Sequence, residues 1–146
     1  MSGQLEEYSV LDFTCYKLSR AVRKVQRYYE LHLAEFGITT AQFFVLCSLR
    51  EHDGVKFKEL AKRISMDGAT LTGILDRLEK FDLAQRRADP EDRRSLLVFL
   101  SPKAHELFPK FEGLAATLET NLRTQFELED FTVFTKVLEK LAQESE

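Results

Sequence analysis

The spacing of apolar residues along the chain predicts a mainly helical protein. In the first quarter, apolar side chains recur every three or four residues from Leu11 to Leu33, which is the repeat of one helix face. No proline or glycine interrupts residues 9–36, so the pattern predicts one long helix that ends before Gly37. Similar stripes predict further helices over 40–51, 57–64, 68–80, 102–126 and 128–141.

Two short segments, 84–88 and 96–100, are predicted to be strands of a hairpin around the turn 89–95. The second strand, LLVFL, is apolar at every position, so both of its faces should be covered. Four arginines lie within nine residues of this hairpin, and three nearby carboxylates partly neutralise them. The hairpin follows a helix that begins with small polar residues. Such a unit fits a DNA groove, although a solvated surface hairpin with weak ion pairs gives the same pattern.

Local signals fix several helix starts. Thr39 and Gln42 have the spacing of a capping box, in which each side chain bonds the backbone of the other. Asp67 is a suitable cap for the helix over 68–80. Ser101 followed by Pro102 predicts a capped start for the next helix.

Composition and charge describe one globular domain over residues 1–146. The chain is 44% hydrophobic and 31% charged, and its net charge is −3. Residues 40–100 carry eleven basic and ten acidic residues, whereas the acidity is concentrated in residues 101–146. The sequence shows no signal peptide, no apolar run of membrane-spanning length and no metal-ligand cluster, and its two cysteines fit a cytoplasmic location.

The terminal helices carry more apolar surface than a small DNA-binding core could cover. This surplus predicts that residues 9–36 and 102–143 form dimerisation helices around a DNA-binding lobe at 38–100. The predicted fold is therefore mainly α with a small β-hairpin, in a chain that acts as a homodimer.

The segment from Leu75 to Ser101 resembles the MarR family of winged helix-turn-helix transcriptional regulators. It contains the pattern L-x-R-L-E-K-x-x-L-x-x-R-x-x-x-P-x-D-x-R-x-x-x-V-x-L-S, with Arg86 matched loosely. The Thr39–Gln42 box and the Glu59-Leu60-Ala61 run add to the resemblance, which covers nearly the whole chain.

The resemblance implies a repressor that binds a pseudo-palindromic operator, with half-sites about 34–36 Å apart. Arg94 would enter the minor groove, where a narrow groove concentrates negative potential, and Asp92 would hold the wing in shape. The residues implied to contact DNA are Lys56, Gly68, Ala69, Thr70, Thr72, Arg77, Arg86, Arg93 and Arg94.

Three positions depart from the family pattern. Asp82 and Ala104 stand where the family often has glycine, and Asp82 is expected to adopt a left-handed backbone conformation at some cost. Lys56 occupies the capping position of a short helix that it cannot cap, but it could bind a phosphate.

The resemblance also implies a small aromatic or phenolic effector, with no cofactor. The residues that would bind it are Tyr16, Arg20, Phe43, Phe44, Cys47, His105 and Phe108. Core packing is the simpler explanation for each aromatic residue taken singly, whereas Arg20 and His105 could each hold a ligand carboxylate.

Two alternatives remain open. Cys15 lies one turn after the position of the reactive cysteine in peroxide-sensing relatives, so a thiol switch is possible. A winged helix can also serve only as a protein-interaction module. An enzyme is not expected, because no phosphate-binding glycine loop is present and the three histidines are scattered.

Overall fold

The structure is a computed structural model that describes residues 9–143. It confirms a mainly helical fold with a small antiparallel sheet. The chain forms two compact units, of which the first ends at His105 and the second begins at Glu106. The elements are α1 (Thr14–Leu33), α2 (Thr40–Glu51), β1 (Val55–Lys56), α3 (Phe57–Arg63), α4 (Gly68–Lys80), β2 (Ala84–Ala88), β3 (Leu96–Leu100), α5 (Pro102–Arg123) and α6 (Leu128–Ala142).

The prediction of one continuous helix over 9–36 was wrong. A 3-10 turn spans Val10–Asp12 and is capped by the Ser9 hydroxyl, and Phe13 then adopts an extended conformation with φ −65° and ψ 131°. The regular helix ends at Leu33, and a second 3-10 turn leads to Gly37, whose φ is 69°. The apolar repeat continues through both breaks, so periodicity alone does not reveal them.

The predicted capping box is present at the start of α2. The Gln42 backbone N–H donates to Thr39 Oγ1 at 3.2 Å, and the Thr39 N–H donates to Gln42 Oε1 at 3.0 Å. The helix buries Phe43, Val45, Leu46 and Leu49 in the core of the first unit. The two capping bonds join residues only three positions apart, so the capping box could be predicted from the sequence.

The sheet contains a third strand that the sequence did not predict. Its order is β1-β3-β2, and Val55 of β1 pairs with Val98 of β3. Gly54 allows this pairing, because its φ is +73° and an added Cβ would lie 2.7 Å from the Phe99 ring. A strand of two residues is too short to show an alternating pattern.

A left-handed residue ends both α3 and α4. After α4, the Leu83 N–H donates to Leu78 O and the Asp82 N–H donates to Glu79 O, at 2.8 and 3.0 Å. These two bonds form a Schellman motif, and Asp82 has a φ of 57° as expected. Ser65 has a φ of 50° in the equivalent turn between α3 and α4.

The two units differ in how much apolar surface they bury. The first unit has a continuous core to which α1, α2, α3, α4 and the sheet contribute. In the second unit Phe108, Phe111 and Leu118 are buried, but α6 buries no residue. The apolar side chains that stay exposed on the second unit are Phe126, Leu128, Val133, Phe134, Val137, Leu138 and Leu141.

Among the described residues, no single helix is long and apolar enough to cross a membrane. The pair Thr14–Phe36 and Thr40–Glu51 meets the length and composition requirement together, but it is bent by 74°.

We expect Asp82→Gly to raise the free energy of unfolding by about 0.5–1 kcal/mol, because glycine adopts positive φ without the Cβ clash. Urea unfolding at fixed protein concentration would measure it. Gly37→Ala is the matched control, since nothing lies within 4 Å of the added Cβ and only backbone strain changes. That variant should lose about 1 kcal/mol. A loss of stability in Asp82→Gly would contradict the prediction.

Candidate nucleic-acid interface

Asp67 fixes the N-terminus of α4. Its Oδ1 accepts the Thr70 backbone N–H at 2.8 Å, and its Oδ2 accepts the Thr70 hydroxyl at 2.7 Å. The backbone N–H of Thr70 is the main reason that the pKa of the Asp67 carboxyl lies below its usual value. The Thr70 hydroxyl proton is therefore engaged in the cap, and only its lone pairs remain open to a partner.

The outer face of α4 is free for contact. Its inner face buries Leu71, Leu75 and Leu78 completely, and each such side chain contributes about 1.5–3 kcal/mol to stability. The residues of α4 that were predicted to contact DNA are all exposed: Gly68, Ala69, Thr70, Thr72 and Arg77. The small residues at the helix start leave its backbone accessible.

Two aspartates shape the turn between β2 and β3. Asp92 Oδ1 accepts the Arg94 backbone N–H at 3.0 Å, in agreement with its predicted position in the wing. Asp89, which the sequence analysis did not single out, is buried and its Oδ1 accepts the Glu91 N–H at 2.9 Å. Such local side-chain bonds define turns without help from the rest of the fold.

Arg93 and Arg94 project from this turn without a partner. Both are exposed, and neither side chain makes a hydrogen bond or ion pair within residues 9–143. Lys56 and Arg77 are likewise exposed and unpaired in the described part of the chain. Unpaired guanidinium and ammonium groups at the surface are suited to phosphate binding.

Arg87 has a different environment from the turn arginines. Its guanidinium carbon lies 4.6 Å from the centre of the Phe99 ring, and its Nη2 donates to Gln85 Oε1 at 2.8 Å. The stacking on Phe99 depends on strand pairing, so it could not be predicted from the order of residues along the chain.

Arg86 is held by carboxylates of α4. Its Nε donates to Glu79 Oε1 and its Nη2 to Glu79 Oε2, both at 2.9 Å, and Nη2 also contacts Asp76. The bond to Arg86 holds the pKa of Glu79 below its usual value, and the same pair raises the pKa of Arg86. Arg86 therefore has partners inside the chain that the sequence analysis did not anticipate.

The start of α5 is bonded to the end of α4. Ser101 Oγ accepts the Ala104 N–H at 3.1 Å, which confirms the predicted cap, and donates to Asp82 O at 2.5 Å. The Ser101 N–H donates to Leu83 O at 3.1 Å, and Lys103 Nζ donates to Phe81 O at 3.0 Å. A displacement at the beginning of α5 would thus be transmitted directly to α4.

Comparison with known proteins identifies the family. The model of the MarR family matches residues 38–96. TtmR from Methylorubrum extorquens, an HTH-type transcriptional regulator, is 32% identical over 117 residues. A crystal structure described as a "probable transcriptional regulator from Pseudomonas aeruginosa" is 27% identical, and it covers 91% of this chain with a TM-score of 0.83.

Residues 38–96 of the chain are therefore similar to the MarR family. The match covers 80% of this chain but only 60% of TtmR. The match with the Pseudomonas structure covers 99% of that structure. A third relative is the transcriptional repressor CouR, solved with a 23-mer DNA duplex, at 25% identity and a TM-score of 0.83, with 94% of this chain and 100% of that chain covered.

The predicted effector residues of this protein have mixed environments. Within the first unit, Phe43 is buried, whereas Phe44 is 49% exposed, and both rings pack near Tyr29. Tyr16 and Cys47 are partly exposed, and Arg20 is fully accessible. These placements leave the effector site a prediction.

His105 lies at the end of the first unit and faces Asp53. Its Nε2 is 3.2 Å from Asp53 Oδ2, and Asp53 Oδ1 accepts the Leu100 N–H at 2.8 Å. His105 is thus already paired with a carboxylate of its own chain. Phe108, in the second unit, is buried and packs edge-to-face against Phe111.

An apolar groove lies within the second unit, where residues between 123 and 139 line it. Its volume is about 580 Å³, and the Arg123 guanidinium stacks over Phe131 at its wall. None of the residues predicted to bind an effector lines it.

The two cysteines are free thiols, and Cys15 is exposed whereas Cys47 is half-buried. Over the described range, no group of three or more His, Cys, Asp or Glu side chains is arranged to hold a metal ion.

Loss of the Glu79 carboxylate should destabilise the protein in a pH-dependent way. Because the folded-state pKa is below the usual 4.5, the ionised group stabilises the fold above that pH. This contribution is lost as the pH falls through the folded-state pKa. We expect Glu79→Gln to lose roughly 1 kcal/mol at pH 7, since Glu79 is a third exposed, and less below pH 4.5.

Urea unfolding at pH 7 and pH 3.5 would measure this difference at roughly matched ionic strength. Glu91→Gln is the control, because the Glu91 side chain is exposed and unpaired over residues 9–143. A Glu79→Gln deficit that stays constant with pH would show that the ion pair is not its cause.

Proposed function

We propose that this protein is a cytoplasmic, sequence-specific DNA-binding transcriptional regulator. The observation that carries the proposal is the exposed start of α4 combined with a hairpin turn whose Arg93 and Arg94 have no partner within residues 9–143. A helix with an exposed outer face can enter a major groove, and a basic hairpin turn can reach the adjacent minor groove. CouR, which shares this fold, was solved on a DNA duplex.

The charge distribution favours binding as a homodimer. Residues 40–100 carry eleven basic and ten acidic residues, so one copy has little net attraction for DNA. Two copies held at a fixed distance would bind two half-sites of a pseudo-palindrome together. The exposed apolar side chains of α6 provide a surface that a second copy would cover.

Repression relieved by an effector is the regulatory mode that we propose. The bonds of Ser101 and Lys103 to the end of α4 connect the recognition helix to α5. A small aromatic or phenolic ligand that shifted the start of α5 would therefore move α4 relative to its half-site. The ligand can lower the operator affinity by no more than the factor by which it prefers the shifted position of α5 to the unshifted one.

Arg94→Ala should weaken operator binding about 5- to 150-fold, because one specific arginine contact to DNA contributes about 1–3 kcal/mol. The measurement is a gel shift with the promoter of the protein's own operon, repeated over a range of salt concentrations. Loss of phosphate contacts should also make the affinity fall less steeply with salt.

Lys110→Ala is the matched control, since it removes one exposed positive charge from α5 without altering the hairpin. It should bind like wild type. Absent or salt-insensitive binding of the wild type to every operon-flanking fragment would refute DNA regulation, and would favour a protein-interaction module instead.

A thiol switch is a second candidate, favoured by the exposure of Cys15 in the first turn of α1. If Cys15 is the sensor, hydroperoxide will release the wild type from its operator and leave Cys15→Ser bound. Cys47→Ser, which alters the half-buried thiol, should respond like wild type. Equal release of wild type and Cys15→Ser would remove Cys15 from the mechanism.

A further inference from the structure

Arg86 links the hairpin to α4 through an ion-pair cluster of three residues. Glu79 and Asp76 lie three positions apart on α4, so both carboxylates face β2. The Arg86 side chain is 21% exposed and that of Glu79 is 33% exposed, so the cluster is partly shielded from water. Partial shielding makes the bidentate pair stronger than an ordinary surface ion pair.

The backbone of Arg86 belongs to the same cluster. Strand β2 is at the edge of the sheet, and the Arg86 N–H donates to Glu79 Oε1 at 2.8 Å. Glu79 therefore bonds both the main chain and the side chain of Arg86. This arrangement fixes the position of β2 along α4 as well as its distance from α4.

The cluster is poorly suited to bind DNA directly. Three of the five guanidinium N–H donors of Arg86 are directed at carboxylates of α4. With two carboxylates and one guanidinium, the cluster has a net charge of −1, which repels phosphate. Arg93 and Arg94, by contrast, have no partner within the described residues.

We propose that Arg86 is a positioning residue, which acts through Glu79 to hold the hairpin turn and α4 in the relative arrangement that reads one DNA half-site. The inference rests on the DNA binding proposed above, and assigns Arg86 a role other than phosphate contact. If α4 and the hairpin turn moved independently, their ordering on DNA would cost conformational entropy, which a preorganised surface avoids. Specific binding should therefore need the cluster, whereas non-specific binding should not.

Glu79→Gln tests this idea, because the two roles predict opposite signs. Removal of a negative charge near a polyanion should strengthen binding if electrostatics alone matters. Positioning instead predicts an operator affinity about tenfold lower, with unchanged affinity for a non-operator duplex of equal length. Fluorescence anisotropy on both duplexes would give the ratio, and circular dichroism would check the fold.

Glu91→Gln makes the same charge change on the hairpin turn without touching the cluster. It should bind the operator as tightly as wild type or more tightly. An operator-to-non-operator ratio for Glu79→Gln equal to that of Glu91→Gln would overturn the proposal.

The charge-swapped variant Glu79→Arg/Arg86→Glu covers the case in which Glu79→Gln fails to fold. Positioning predicts that the double variant binds the operator more tightly than either single charge reversal. Direct phosphate contact by Arg86 predicts instead that the double variant binds less tightly than Glu79→Arg, which keeps Arg86 and carries more positive charge. A wild type without operator preference would refute the proposed function. A wild type that prefers the operator, together with variants that keep this preference, would refute only the positioning role of Arg86.

Discussion

The left-handed turn at Asp82 is the constraint on which the arrangement of the first unit depends. Helix α4 ends at Lys80, two residues before Asp82, and β2 begins at Ala84, two residues after it, so the turn sets the angle between α4 and the hairpin. The carbonyls of Asp82 and Leu83 also accept bonds from Ser101 at the start of α5. Three elements are thus fixed by one short segment. The positive φ of a non-glycine residue costs energy, and the two Schellman bonds and the burial of Leu78 and Leu83 offset that cost.

The arginines of the hairpin divide into two physical classes. Arg86 and Arg87 lie on β2, where neighbouring elements supply a carboxylate pair and an aromatic ring. Arg93 and Arg94 lie in the turn, where Asp89 and Asp92 bond the backbone and the guanidinium groups have no partner among the described residues. Arg93 and Arg94 therefore form a local positive charge within residues 40–100, whose net charge is close to zero. Binding by such a lobe depends on the placement of a few cations, so geometry contributes more than total charge.

The bonds at the start of α5 suggest how occupancy of an effector site would be transmitted. Ser101 caps α5 through its hydroxyl oxygen and bonds the end of α4 through its hydroxyl proton, and Lys103 adds a second link. Each group has few alternative partners, because Ser101 is fully buried. A shift of α5 that broke these bonds would leave buried polar groups unpaired, so the two helices are expected to move together.

The sequence by itself determined most of the local structure of this protein. The capping box at Thr39, the caps at Asp67 and Ser101, the strands 84–88 and 96–100 and the left-handed Asp82 all follow from contacts between residues close in the chain. The family pattern between Leu75 and Ser101 identified the fold for the same reason. Tertiary structure decided the rest: the break at Phe13, the short strand β1, the stacking of Arg87 on Phe99 and the pairing of Arg86 with Glu79. These features depend on which elements lie side by side, and periodicity along the chain carries no information about partners that only packing brings together.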